Sequence, residues 1–330
     1  MISVRGRLPA PVRGGLQRGR RRARWARPGR GAVLAYHRVA TPRCDPWSLA
    51  VSPAHFGEQL SVLRRLGPVL PLGEVLDDRI RRWQRRPSFA VTFDDAYVDN
   101  LHEALPLLEA TECPVTVFVA PGLLGRRWYW WDVLATWAVG AGIGPDQLRQ
   151  AAVTAEVLAP ADAERLADAD AHRLHAAVYE MLAPKPLAEI EGRVLALAAA
   201  GGVDPESVDG RPMTVDELDR LAVHPLVTLG VHTMTHPRLS RLPLPAARDE
   251  MAAADRWLAE QFGSAPRSLA YPYGDTSPGV AALAAELGFE HAVTTADRWL
   301  APGEDRLDRP RLQPHDVAGP PFEAWLRAAR

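Results

Sequence analysis

From Gly31 nearly to the end of the chain, short apolar runs alternate with longer stretches whose apolar residues recur every three or four positions. The runs are AVLAYHRV (32–39), SFAVTFDD (88–95), PVTVFVA (114–120), LVTLGVHT (226–233), RSLAYPYG (267–274) and HAVTT (291–295). Each is short, β-branched or aromatic, and bounded by proline, glycine or charge, as buried strands are. Between them, about 53–66, 72–82, 98–110, 215–223, 245–262 and 278–287 carry helical spacing, as in Phe56, Leu60, Leu63 and Leu66. Strands alternating with helices predict parallel strands with helices packed outside, an α/β sheet or barrel.

Residues 123–213 break this alternation. They hold no convincing strand, while Trp128–Val139, Ala161–Leu182 and Leu187–Ala200 read as helices, punctuated by Pro184, Pro186 and the pair Gly201-Gly202. The expectation is one domain over 32–330 with a helical insertion at about 123–213. Helices so rich in alanine offer few large apolar side chains for a separate core.

Composition narrows the classes. At 330 residues, 47% hydrophobic and 24% charged, the chain is globular rather than largely disordered. It has no run approaching the roughly 18 apolar residues of a membrane span. Two cysteines, Cys44 and Cys113, supply neither a disulfide framework nor a four-thiolate zinc site. The net charge of −1 hides an asymmetry: residues 1–30 hold ten arginines and no acid, which leaves −11 on the other 300. Residues 1–31 therefore read as a disordered Arg-rich arm, capable of weak contact with anionic surfaces. Nucleic-acid binding through the arm is a minor alternative, and no specific nucleic-acid partner is expected. The arm lacks the roughly 7–15-residue apolar run of a secretory signal, so the default compartment is cytoplasmic. The oligomeric state is not legible.

The chemistry gathers at strand ends. Asp94 and Asp95 close an apolar strand, where adjacent carboxylates are costly unless a cation or proton sits with them. Ligands of α/β sheets and barrels bind at that end of the strands. His232 and His236, in GVHTMTHP, also follow an apolar strand, and a spacing of four lets both imidazoles face one point if the segment turns helically. With Asp95 they make a set of two nitrogens and one oxygen that leaves a position open for water, as in catalytic zinc sites.

Taken together, TFDD (92–95), HTMTHP (232–237) and YPYG (271–274) occur in an order and separation that resembles the polysaccharide deacetylases, carbohydrate esterase family four, including the chitooligosaccharide deacetylases. The resemblance covers about 32–312. It implies a distorted or incomplete (β/α) barrel around a divalent metal, with zinc expected, and removal of N-acetyl groups from an amino sugar in a polysaccharide or glycoconjugate. It implies Asp94 as catalytic base, Asp95, His232 and His236 as metal ligands, and the Tyr273 N–H as an oxyanion donor in a turn shaped by Pro272.

The leaving amine needs a general acid. The family usually supplies a histidine in a C-terminal strand, but the candidate here, His315, follows Pro314, which interrupts a strand. The N-terminal VLAYHRV instead resembles the circularly permuted branch of the family, which makes His37 the expected acid. Where many members carry an arginine that orients the base, this chain has Ala270; Arg311 is the expected substitute, with Arg309 second. Ala96 stands where glycine is common, and is expected only to stiffen the loop. Trp130, Trp131 and Asp132 are candidate sugar contacts, because indole faces stack on pyranose rings. The alternative function is a catalytically silent carbohydrate-binding protein of the same fold.

Overall fold

A computed structural model describes residues 29–263 and 267–329, so nearly all of the expected Arg-rich arm lies outside the described residues. Six strands, β1 (Gly31–Tyr36), β4 (Ser88–Phe93), β5 (Val115–Val119), β6 (Val227–Val231), β7 (Ser268–Ala270) and β8 (His291–Val293), form one parallel sheet in that order. A second, two-stranded sheet pairs β2 (Arg38–Val39) with β3 (Ala50–Val51). Every residue of β1, β4 and β5 is buried. That is why these strands read as continuous apolar runs rather than as alternating ones: helices cover one face and barrel contents the other.

The sheet curls into a distorted, incomplete (β/α) barrel. Between β8 and β1 the gap is spanned by 309–312, which makes isolated parallel bridges from Arg309 to Val293 and from Leu312 to Leu34. The seam between β6 and β7 is the weakest, joined at the single pair Val231 and Leu269. Register then places the chemistry. Tyr36 is level with Phe93, so His37 and Asp94 emerge side by side, and Arg311 rises beside them on the closing segment.

The helix Pro53–Leu66 seals one wall, with Phe56, Leu60, Leu63 and Leu66 buried as the spacing predicts. Phe56 meets Tyr36 edge-on at 5.1 Å between ring centroids. Gln59 on the same helix accepts the Tyr36 hydroxyl at 2.9 Å and donates to the carbonyls of His315 and Val317, pinning the C-terminal segment to the barrel. Among the described residues no helix is long and apolar enough to cross a membrane.

The structure departs from the pattern in three helical regions. The stretch 72–82 divides at Asp77, whose side chain accepts from the Arg79 N–H and starts a second short helix. In the insertion, Asp170 caps Ala171–Leu182 in the same way and so separates it from Pro160–Arg165. Pro145–Thr154 is a helix that the sequence reading left out; its apolar face is mostly alanine and carries little periodic signal. The insertion also buries more bulk than its alanine content suggests. Trp137, Leu148, Leu174, Val178, Leu182 and Leu197 form an apolar cluster, which Tyr97, Ala120 and Leu123 connect to the barrel.

Candidate active site

Three loops at the carboxyl ends of β4, β6 and β7 carry the motif residues, and all three leave the usual backbone regions. Asp95 (φ 71°), Ala96 (φ 54°), Thr233 (φ 62°), His236 (φ 61°) and Tyr273 (φ 61°) are left-handed without being glycine. Such residues cost on the order of 1–3 kcal/mol each and collect at functional sites. Ala96 therefore does more than stiffen the loop: its buried methyl group occupies a conformation that glycine adopts freely. The loops are tied down from behind. The Tyr129 hydroxyl donates to the Asp95 carbonyl, and Glu250 accepts from the Met234 and Thr235 N–H groups at 2.9 and 2.8 Å and from the Thr235 hydroxyl at 2.7 Å.

The segment between His232 and His236 is not the helical turn anticipated. It is a bend closed by the His236 N–H donating to the Thr233 hydroxyl at 3.1 Å. It still brings both imidazoles to Asp95: the carboxylate Oδ1 lies 3.5 Å from His232 Nε2 and 3.3 Å from His236 Nε2. Ligands about 2.0–2.2 Å from a tetrahedral ion stand roughly 3.4 Å apart, so these separations suit one shared cation. His232 Nδ1 donates to the Ala270 carbonyl at 2.8 Å, which turns Nε2 toward Asp95 as an acceptor.

The electrostatics agree with that fit. Asp95 Oδ1 is buried with no hydrogen-bond partner among the described residues, a costly arrangement for a carboxylate. Burial, followed by the Asp94 charge, pushes the Asp95 carboxyl well above its usual value. Burial also lowers both histidines, His236 strongly, leaving neutral imidazoles of the kind that bind metals. Asp95, His232 and His236 are the group of three among the described residues with the spacing to hold an ion.

Asp94 is in the opposite state. Arg311, fully buried, donates from both terminal nitrogens to the two Asp94 oxygens at 2.7 Å each, and its Nε donates to the Thr294 carbonyl at 3.0 Å. Burial alone would raise the carboxyl, but the Arg311 charge, with His232 and the Arg311 hydrogen bonds, outweighs it and holds Asp94 below the usual carboxylate range. The guanidinium that Ala270 cannot supply thus reaches the acid from 309–312. Arg309 instead faces Asp78 and Glu304, at 3.7 and 3.8 Å.

The two candidate acids part company. His37 Nε2 is 3.8 Å from Asp94 Oδ2, and burial lowers the imidazole to about 4 against the raising effect of Asp94. His315 is exposed and packs on Trp325 at 6.0 Å, away from the site. Trp131 lines the cleft, with its ring 5.0 Å from His236, whereas Trp130 stacks on Tyr179 at 4.9 Å and lines a neighbouring groove. Asp132 does not line the cleft; its carboxylate accepts the Tyr97 hydroxyl at 2.9 Å. Pro272 is buried beneath the turn that carries Tyr273. The sequence reading passed over Tyr129, Glu250, Arg238 and Trp47: Glu250 and Trp47 lie away from every motif, and Tyr129 and Arg238, although beside the 130–132 and 232–237 stretches, carry no spacing that marks a role in the site.

Comparison with known proteins gives the family and the fold. The family model for polysaccharide deacetylase matches residues 82–292, and the chain belongs to that family. A chitooligosaccharide deacetylase of Bradyrhizobium sp. (strain ANU 289) is 37% identical over 79 residues, 23% of this chain and 36% of the relative, so the match spans about a third of that curated protein. The fold is similar to that of the Streptococcus pyogenes deacetylase PplD in complex with acetate, with TM-score 0.58, 16% identity, and 90% of this chain and 98% of the other covered. It is also similar to IcaB from Ammonifex degensii, with TM-score 0.58, 20% identity, and 90% and 97% covered.

Proposed function

We propose that this chain is a divalent-metal-dependent hydrolase that removes the acetyl group from an N-acetylated amino sugar in a polysaccharide or glycoconjugate, and that the metal is zinc. The observation that carries this reading is the pairing of two adjacent carboxylates in opposite states. Asp94 is kept ionised by Arg311, and Asp95 faces two neutral imidazoles with a vacant lone pair. A cation held by Asp95, His232 and His236 would bring the pKa of a water ligand to about 7 and polarise the amide carbonyl.

The remaining roles fall to the chain. Asp94 accepts the proton of the attacking water while Arg311 fixes both carboxylate oxygens. The water oxygen adds to the acetyl carbon, and the Tyr273 N–H, in the left-handed turn after Pro272, donates to the developing oxyanion. His37 is neutral at pH 7 and lies 3.8 Å from Asp94, so the abstracted proton has a short route to the group that passes it to the departing nitrogen. The C–N bond breaks to give acetate and a free amine. His37 emerging from the first strand is consistent with the permuted arrangement. The alternative, a catalytically silent carbohydrate binder, rests on Ala270 and on the lack of a general acid in the usual C-terminal strand; Arg311 on Asp94 speaks against the first ground and His37 beside Asp94 against the second.

The test is acetate release from N-acetylated chito-oligosaccharides by protein stripped with a chelator and reloaded with zinc. The proposal expects turnover that vanishes on stripping and returns on reloading. Protein that binds zinc and oligosaccharide yet releases no acetate would favour the silent binder.

A further inference from the structure

Residues 78–87, DRIRRWQRRP, run directly into the start of β4 and so lie at the amino end of the parallel barrel, opposite the catalytic cleft. Two of the five arginines serve the fold: Arg81 is buried against Asp78, and Arg79 pairs with Asp77 at 2.9 Å. The other three, Arg82, Arg85 and Arg86, are exposed. Arg82 lies over the Trp83 ring at 5.3 Å and Arg86 donates to the Leu66 and Arg65 carbonyls, but among the described residues none of the three pairs with a carboxylate.

Two apolar side chains share this turn. Trp83 is 76% exposed, and Ile80, whose carbonyl accepts the Trp83 N–H at 3.2 Å, is 39% exposed. One such residue alone is ordinary on a protein surface. An indole and an isoleucine beside free arginines have the composition of an interfacial anchor: tryptophan settles at the headgroup level of a bilayer, and arginine is drawn to anionic headgroups.

A second observation falls at the same point. The Gly29 N–H donates to the Gln84 carbonyl at 3.1 Å, and a Cβ on Gly29 would lie 3.4 Å from the Arg82 Cα. The residues ahead of Gly29 hold nine arginines and no acid, so nine further positive charges are tethered to this turn. Residues 31–330 carry −11 in total; an anionic surface therefore repels the domain as a whole and is met by this end.

We infer that the amino end of the barrel is a docking face for a bilayer containing anionic phospholipid, with Trp83 and Ile80 at the headgroup boundary and Arg82 and Arg85 on the phosphates. Nucleic acid would use the arginines and leave the exposed Ile80 without a role, whereas a bilayer uses both. Docked in this way, the chain holds its catalytic cleft on the side away from the bilayer.

The full chain is tested by co-sedimentation with vesicles of equimolar phosphatidylcholine and phosphatidylglycerol, and with vesicles of phosphatidylcholine alone. Binding to the mixed vesicles, weakened by salt, is expected. Trp83→Ala should lower it about 10-fold, with most of the loss recovered in Trp83→Phe, and Arg82→Gln and Arg85→Gln should each lower it about 5-fold. Circular dichroism and melting temperature confirm folding. The arginines ahead of Gly29 are present in every sample, so they cannot produce these differences. Unchanged binding in Trp83→Ala and in both arginine variants, no binding of the full chain to mixed vesicles, or equal binding to neutral ones would overturn the inference. Loss of binding to an RNA oligonucleotide in Trp83→Ala, with vesicle binding intact, would overturn it and assign the face to nucleic acid.

Discussion

Replacing Arg311 by Met keeps much of the side-chain volume and removes the charge that holds Asp94. The guanidinium is fully buried and gives the carboxylate two charge-assisted hydrogen bonds at 2.7 Å. Breaking such a pair from one side costs about 3–5 kcal/mol, because the remaining charge stays buried and unpaired. At roughly 2–4 °C per kcal/mol for a large domain, Arg311→Met should melt at least about 6 °C lower at pH 7. The pH dependence has a definite sign. In the native protein Asp94 lies below its unfolded value, so its contribution to stability is present above about pH 4 and is lost as pH falls through the folded value. Without Arg311, burial, the largest influence on Asp94, is opposed only by the His232 and His37 imidazoles and raises the carboxyl above its unfolded value. The deficit of the variant should then shrink toward pH 4 and grow toward pH 8. Urea unfolding at a series of pH values measures this, and Arg311→Met/Asp94→Asn should recover part of the loss. Equal stability of Arg311→Met and the unaltered protein at pH 7, or a deficit independent of pH, would refute the reasoning.

Three further substitutions probe the acid and the barrel frame. His37→Gln should slow acetate release by about 10²–10⁴, the usual worth of an acid–base group, while His315→Gln leaves it unchanged; steady-state kinetics on metal-loaded protein reads both. Gly67→Ala should destabilise the fold by about 3 kcal/mol, because a Cβ there would lie 1.7 Å from the Pro87 carbonyl oxygen; chemical denaturation gives the value.

The strands were legible because each is a short apolar run between breakers, and in β1, β4 and β5 burial on both faces leaves no alternation to misread. The motif residues were legible because adjacent acids and spaced histidines at strand ends are expensive to keep without a use. The supports of the site were not. Glu250 and Tyr129 act on backbone groups of loops far away in sequence, and no local pattern announces such contacts. Arg311 could be named only as a candidate, because its role depends on 309–312 closing the barrel between β8 and β1. The form of the histidine loop was misjudged for a related reason. A spacing of four suggests a helical turn, whereas the Thr233 hydroxyl and Glu250 hold a left-handed bend instead.

The central claim is that Asp95, His232 and His236 hold one catalytic metal beside a base that does not bind it. The most direct measurement is zinc stoichiometry by calorimetry, with acetate release followed on the same samples, for the unaltered protein, His236→Ala and Asp94→Asn. The account predicts one zinc per chain with turnover in the first, lowered occupancy and turnover together in the second, and full occupancy without turnover in the third. Affinity in the unaltered protein should weaken from pH 7 to pH 5, as protons compete for Asp95, which burial has raised. Full zinc occupancy in His236→Ala, or near-normal turnover in zinc-loaded Asp94→Asn, would contradict it.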